Sequence, residues 1–188
     1  MKILAASDIH GDKTIISRLV KKSLESDIII LTGDISNCDM STEKVIKELK
    51  KSKKPILAVH GNHELETEIK SGRQVINLHK KVKTIGNYNF VGYGGGGFSQ
   101  RDKEFEKFAS KIKKENIVLI THAPPYDTRL DYLPQTGHVG SRSIKEFIKK
   151  HKPLLVICGH LHENETKKQK IKSTMLVNPG SKGEIIEI

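Results

Sequence analysis

DIIILTGD, residues Asp27 to Asp34, sets four aliphatic side chains in a row and then stops on Gly33-Asp34. A short apolar run ended by turn residues reads as a strand, and its neighbours give it a context. Upstream lies Lys2-Ile-Leu-Ala-Ala-Ser7, and downstream Pro55-Ile-Leu-Ala-Val-His60. Between these runs, Asp12 to Glu25 and Ser41 to Lys51 are amphipathic. Ser41-Thr-Glu-Lys44 has the capping residue and helix formers of a helix start. The order is therefore β-α-β-α-β.

The later chain is richer in strands. Candidates fall at 74–78, 82–85, 88–93, 116–121, 154–158, 174–177 and 184–188, with helices over 100–114 and 141–151. There is no repeat, low-complexity tract or linker. One long turn-rich loop, Ala123 to Gly140, stands out, and loops of that length in compact domains usually carry function. At 188 residues the chain is long enough for a core that needs no disulfide, and a single domain over 1–188 is expected.

Gly92-Tyr-Gly-Gly-Gly-Gly97 spells G-x-G-x-x-G between a predicted strand and helix. A dinucleotide fold also needs an acidic residue at the end of the following strand. Here that strand runs into Thr121-His122-Ala-Pro-Pro125, and no Gly-Lys-Ser/Thr follows the glycines to make a phosphate loop. A tight turn or a close backbone approach is the better reading, with Gly94 to Gly97 as a candidate pocket wall.

The formal charge is +11, almost all from lysine. The lysines crowd at 50–54, 111–114 and 149–152, where each run ends a predicted helix and complements its dipole. Aromatic residues are only 5% and do not interleave with them, so no base-stacking platform is visible. The field still suits an anionic substrate. No apolar run approaches the ~20 residues of a membrane span, the start is too short for a signal peptide, and a cytoplasmic protein is expected. Cys38 and Cys158 form no C-x-x-C pair and read as buried small hydrophobes.

The strand endings hold the chemistry: Ser7-Asp8-Ile9-His10, Gly33-Asp34, His60-Gly61-Asn62-His63-Glu64, Thr121-His122 and Cys158-Gly159-His160-Leu161-His162. Ligands of open α/β sheets bind beyond the carboxyl ends of the strands, so five such endings can meet on one rim. Asp8 and His10, like His160 and His162, are two apart and share a side of extended backbone. Carboxylate, imidazole and amide oxygen together suit borderline divalent metals, and a thiolate zinc site is not indicated.

As an ordered set, D-x-H, GD, GNH-E, H and GH-x-H, these motifs resemble the calcineurin-like metallophosphoesterases, most closely the small uncapped phosphodiesterases. The resemblance implies an α/β fold of two facing mixed β-sheets flanked by helices. It implies two divalent ions per chain, drawn from manganese, iron, cobalt, nickel and zinc with manganese favoured. Asp8, His10 and His162 would bind one ion, Asn62, His122 and His160 the other, and Asp34 would bridge them. It implies hydrolysis of a small phosphodiester, with cyclic nucleotides among the candidates, by a hydroxide between the metals. His63, outside the metal set, is expected to serve the leaving group as the catalytic acid or hydrogen-bond donor.

Asn62, His63 and His138 are the candidate substrate contacts. Tyr126 and Tyr132, near His138, either stack on a base or pack the loop, and Arg129 and Arg142 are either phosphate contacts or surface charge. Glu64 is expected to order its loop, and His60, His79 and His151 to be structural or solvated. Rival readings are a nuclease acting on DNA or RNA ends, and a scaffold of the same fold without catalysis. Nucleic acid is not the favoured partner, and the oligomeric state is open.

Overall fold

The computed structural model describes residues 1–96 and 99–188. Along the chain lie β1 (Lys2–Ala6), α1 (Lys13–Lys22), β2 (Ile28–Leu31), α2 (Thr42–Leu49), β3 (Ile56–Ala58), β4 (Val75–Asn77), β5 (Lys81–Ile85) and β6 (Tyr88–Tyr93). They are followed by α3 (Lys103–Ala109), β7 (Ile117–Thr121), β8 (Tyr132–Leu133), β9 (Gly137–His138), α4 (Arg142–His151), β10 (Leu155–Ile157), β11 (Lys168–Ile171), β12 (Thr174–Val177) and β13 (Glu184–Glu187).

The strands build two mixed sheets and a small hairpin. The first sheet runs β13-β1-β2-β3-β4, with β1 to β4 parallel and β13 antiparallel at the edge. The second runs β11-β12-β10-β7-β6-β5, parallel in its centre with antiparallel edges. Alternation along each central strand decides the layers. In β1, Ile3 and Ala5 enter a core shared with Phe90, Val118, Ile120 and Ile157 of the other sheet. Leu4 and Ala6 point the other way, onto Ile16 and Leu19 of α1 and Val45 and Leu49 of α2. Strands buried on both faces must be apolar throughout, which is why β2 is Ile-Ile-Ile-Leu. The outer face of the second sheet packs on Phe105 of α3 and on Ile144, Phe147 and Ile148 of α4. Two facing sheets between helical layers is the expected α/β architecture.

Helix boundaries follow their caps. The Asp12 carboxylate accepts from the backbone of Thr14 at 2.7 Å and Ile15 at 2.9 Å and starts α1. Asp102 accepts from Phe105 N at 2.9 Å, so α3 begins at Lys103 and not at residue 100. It also stops at Ala109, which leaves the 111–114 lysine run beyond the helix. Two further expectations are corrected. Cys158 is buried but Cys38 is exposed, on the loop before α2. The segment 123–140 is no plain loop, since β8 and β9 pair within it as a hairpin, Tyr132 opposite His138.

Candidate metal centre

Within each sheet the strands that end in polar residues are parallel, so their carboxyl ends emerge on the same side. Backbone bonds then tie the endings together: Asp8 N donates to Gly33 O at 3.0 Å, His10 N to Asp34 O at 3.0 Å, and Gly159 N to His122 O at 2.9 Å. Asp8, His10, Asp34 and His160 all hold left-handed backbone, with φ of 54°, 46°, 49° and 73°. A non-glycine residue pays about 1–3 kcal/mol for strain of this kind, and it persists where the surroundings fix the conformation. Here it re-aims side chains at the end of a strand.

The side chains converge. Asp8, His10 and His162 offer donor atoms that lie within 4.8 Å of one another, as do Asp8, Asp34 and His122. His10 Nε2 is 3.3 Å from His162 Nε2, and His162 Nε2 is 3.5 Å from Asp8 Oδ1. On the other side, Asn62 Oδ1 lies 3.0 Å from His122 Nε2 and 2.9 Å from His160 Nδ1. Asp34 sits between these groups: Oδ2 is 3.6 Å from His122 Nε2, and Oδ1 accepts from Asn62 N at 2.8 Å and His63 N at 3.0 Å. All seven candidate metal residues are in one place.

His63 is closer to the cluster than its expected role requires. Its ring joins His10 and Asp34 as a third donor group, with Nε2 3.9 Å from Asp34 Oδ2 and its centroid 5.0 Å from that of His10. It is also more than half exposed, so one edge faces solvent.

These residues fit a divalent cation. His122 Nδ1 lies 2.8 Å from the Thr32 carbonyl, which can only accept, so Nδ1 carries the proton. In the neutral ring, Nε2 is then a lone pair aimed at the oxygens of Asn62 and Asp34. Acceptors facing acceptors need a proton or a cation between them. Contacts of 3.5 to 3.6 Å from imidazole nitrogen to carboxylate oxygen are too long for hydrogen bonds, but two ligands of one ion with bonds near 2.1 Å stand about 3 to 3.5 Å apart. Burial pushes the His160 pKa below its ordinary value, with nearby His122 adding to the effect, and this favours the neutral form that metals require.

The supporting shell is only partly visible in sequence. Glu64 orders its loop as expected, accepting from Gly61 N at 3.0 Å and also from Ile35 N at 3.2 Å on the neighbouring ending. Burial pushes its carboxyl up to about 7 against the pull of these bonds. The Thr32 carbonyl has no side-chain signal at all. Fully buried Asn178 donates to Leu161 O at 3.2 Å and braces the turn that carries His160 and His162; the stretch Asn178-Pro-Gly-Ser181 is its only trace in the sequence.

Glycines make the closest approaches. A Cβ on Gly61 would overlap Asp34 Oδ1, and one on Gly33 would meet Gly61 and His122 Nδ1. Gly61→Ala is therefore expected to cost about 1–3 kcal/mol by overpacking, which lowers Tm by about 2–12 °C in a domain of this size. Gly72→Ala, where a Cβ meets nothing within 4 Å, should leave Tm unchanged. Thermal melts of the two variants check this directly.

The glycine run is a close backbone approach. Gly95 N donates to His60 O at 2.8 Å, Gly94 N to His79 Nδ1 at 2.9 Å, and a Cβ on Gly94 would come within 2.6 Å of His60 Nδ1. A Cβ on Gly96 would lie 3.7 Å from that of Ala123, beside His122. The run thus backs two of the endings, while Gly97 lies outside the described residues. Burial, helped by the neighbouring His79, pushes His60 down to about 4, and His79 is buried beside it, so both are structural. His151 stacks on Phe147.

His138 is placed apart from these contacts, in β9. Its Nδ1 is 2.8 Å from Asp131 Oδ1, and its ring lies between those of Tyr126 and Tyr132. The Arg142 guanidinium covers Tyr126 at 3.7 Å, whereas Tyr132 is 48% exposed. Of the two tyrosines, only Tyr132 keeps an open ring.

A two-sheet sandwich with a carboxylate, imidazole and amide cluster across its strand endings defines a metal-dependent phosphoester hydrolase. The chain belongs to the calcineurin-like phosphoesterase family, whose model matches residues 1–164. It is 32% identical to an uncharacterized protein of Methanocaldococcus jannaschii over 99% of this chain and 91% of that one. Its fold is similar to that of a crystal structure from Thermus thermophilus, with a TM-score of 0.67 and 18% identity over 95% of this chain and 88% of the other. It is also similar to an archaeal phosphodiesterase, with a TM-score of 0.58 and 19% identity over 96% and 84%. Among the described residues no helix is long and apolar enough to cross a membrane.

Proposed function

We propose that the chain, acting as one domain, hydrolyses small phosphodiesters. The observation that carries this reading is Asp34, a buried carboxylate set between two groups of donors, Asp8/His10/His162 and Asn62/His122/His160. Each group would hold one divalent ion, with Asp34 touching both and manganese the favoured metal. When bound, such a pair activates water near neutral pH and neutralises phosphoryl oxygens in the transition state. The protein's own residues do the rest. The Thr32 carbonyl fixes the orientation of His122, Asp34 fixes the backbone of Asn62 and His63, and the exposed edge of His63 is set to give a proton to the departing oxygen.

A panel of an aryl diester, an aryl monoester and a cyclic nucleotide, assayed with several divalent metals, tests the reading. Turnover should vanish in chelator, return with manganese, and favour the diester by about tenfold or more. A lack of turnover with every metal would revive the non-catalytic scaffold. Digestion of single strands with steep salt dependence would favour the nuclease.

A further inference from the structure

A cavity of about 370 Å³ lies between the β8–β9 hairpin and the segment 167–169, and its walls include Arg129, Lys167, Tyr132, His138 and Asp127. Arg129 and Lys167 have no carboxylate within ion-pair distance among the described residues; Lys167 Nζ meets the Asn164 amide oxygen at 2.5 Å instead. Asp127 is already engaged by Lys145 at 3.4 Å. The wall therefore presents uncompensated positive charge, which in a concave site favours an anion.

His138 is held by a built support. Asp131 is fully buried and takes Thr128 N at 2.7 Å and Gly140 N at 2.9 Å as well as His138 Nδ1 at 2.8 Å. Because the carboxylate accepts, Nδ1 carries the proton, and Nε2, 3.9 Å from Asp127 Oδ1, is the ring's second polar atom at the cavity wall. Tyr132 packs edge-on against this ring and keeps half its surface open, as a platform for a planar group.

The cavity is coupled to the metal cluster through one turn. Asn164, two residues after His162, donates to Leu130 O at 2.9 Å and Tyr132 O at 3.2 Å while it receives Lys167. The other wall leaves the cluster directly, since His122 begins the segment that leads to the hairpin.

We propose that this cavity is a subsite for a second anionic group of the substrate and an adjoining planar ring. The scissile phosphorus belongs at the metal cluster, so the cations here read a further phosphate, and Tyr132 reads the ring. The substrate class is then a nucleotide-like phosphodiester bearing an additional phosphate. This rests on the reading of the cluster as the hydrolytic centre.

The test compares a dinucleotide carrying a 5′-phosphate with the same dinucleotide lacking it, with a simple aryl diester as reference, on the full manganese-loaded chain. The phosphorylated dinucleotide should be preferred about tenfold in kcat/KM, the worth of one charge-assisted contact. Arg129→Gln with Lys167→Gln should bring the preference close to one through KM and leave the aryl diester unchanged. Arg129→Gln alone, which removes no side-chain contact of the fold, should move the ratio the same way. Equal use of both dinucleotides by the unaltered protein, or equal loss on all three substrates in the variants, overturns the subsite. NMR of the His138 ring during titration with adenosine 5′-monophosphate reads the subsite without turnover. If no diester is hydrolysed the proposed function fails, yet a perturbed His138 still supports the cavity as an anion site and an unperturbed one overturns it.

Discussion

Asp34→Asn protein is expected to fold, to lose its response to manganese, and to fall at least about 10³-fold in diester turnover. Asn keeps one oxygen, which can go on accepting from the backbone of Asn62 and His63, so the two loops stay joined. Its amide nitrogen, however, would face His122 Nε2 where Oδ2 now stands at 3.6 Å, and a donor there cannot bind a cation. One buried negative charge is also gone from a site shared with Asp8. Metal-free Asp34→Asn should accordingly melt no lower than the metal-free parent, because the parent buries two carboxylates without a cation. Only the parent should gain stability from metal. At a hundredfold excess of metal over Kd, binding contributes about 2.7 kcal/mol, or roughly 5–10 °C in Tm for a chain of this length. Melts with and without manganese, read beside a diester assay, check both halves. An unchanged manganese shift in the variant would remove Asp34 from the bridging position.

How much of this is open to sequence reasoning differs by residue and for physical reasons. β2 is legible because burial on both faces forbids polar residues, and Ile28–Leu31 contains none. β11 is not, because it is an edge strand whose Lys168 and Lys170 are exposed, and it reaches β12 through a turn with Lys172 at φ 54°. No glycine or asparagine marks that turn. From sequence α3 reads too long at both ends, since its start is set by one side chain, Asp102, in an otherwise helix-compatible stretch. At the site, the identity and order of Asp8, His10, Asp34, Asn62, His122, His160 and His162 carry the chemistry, and the sheet topology brings those residues together. The shell that aims them is written mainly in the backbone. Left-handed conformations at Asp8 and Asp34 are ones that aspartate tolerates but does not announce, and the Thr32 carbonyl under His122 leaves no mark on residue type. The long segment 123–140 reads as a loop, but its order comes from Asp131, an acid with no motif around it.

His63 has a prediction that separates proton donation from two alternatives. Its ring is close enough to His10 and Asp34 to be counted with the donors, yet its Nε2 is 3.9 Å from Asp34 Oδ2 and more than half of its side chain faces solvent. Exposure alone does not set it apart from a ligand, because His162 in the donor cluster is 54% exposed, whereas His122 is fully buried. If His63 protonates the departing oxygen, His63→Ala should keep the manganese-induced rise in Tm and lower kcat by about 10²–10³-fold for a diester with a basic alkoxide leaving group. The loss should shrink towards unity for a nitrophenyl diester, whose leaving group departs without help. A loss of equal size on both substrates would mean that the imidazole acts by electrostatic stabilisation of the phosphoryl oxygens and not by proton transfer. Disappearance of the manganese shift would make it a ligand. Because Asp34 Oδ1 holds His63 by its backbone N–H, which alanine retains, the loop should keep its position in the variant. Differences among the three outcomes can then be assigned to the ring itself.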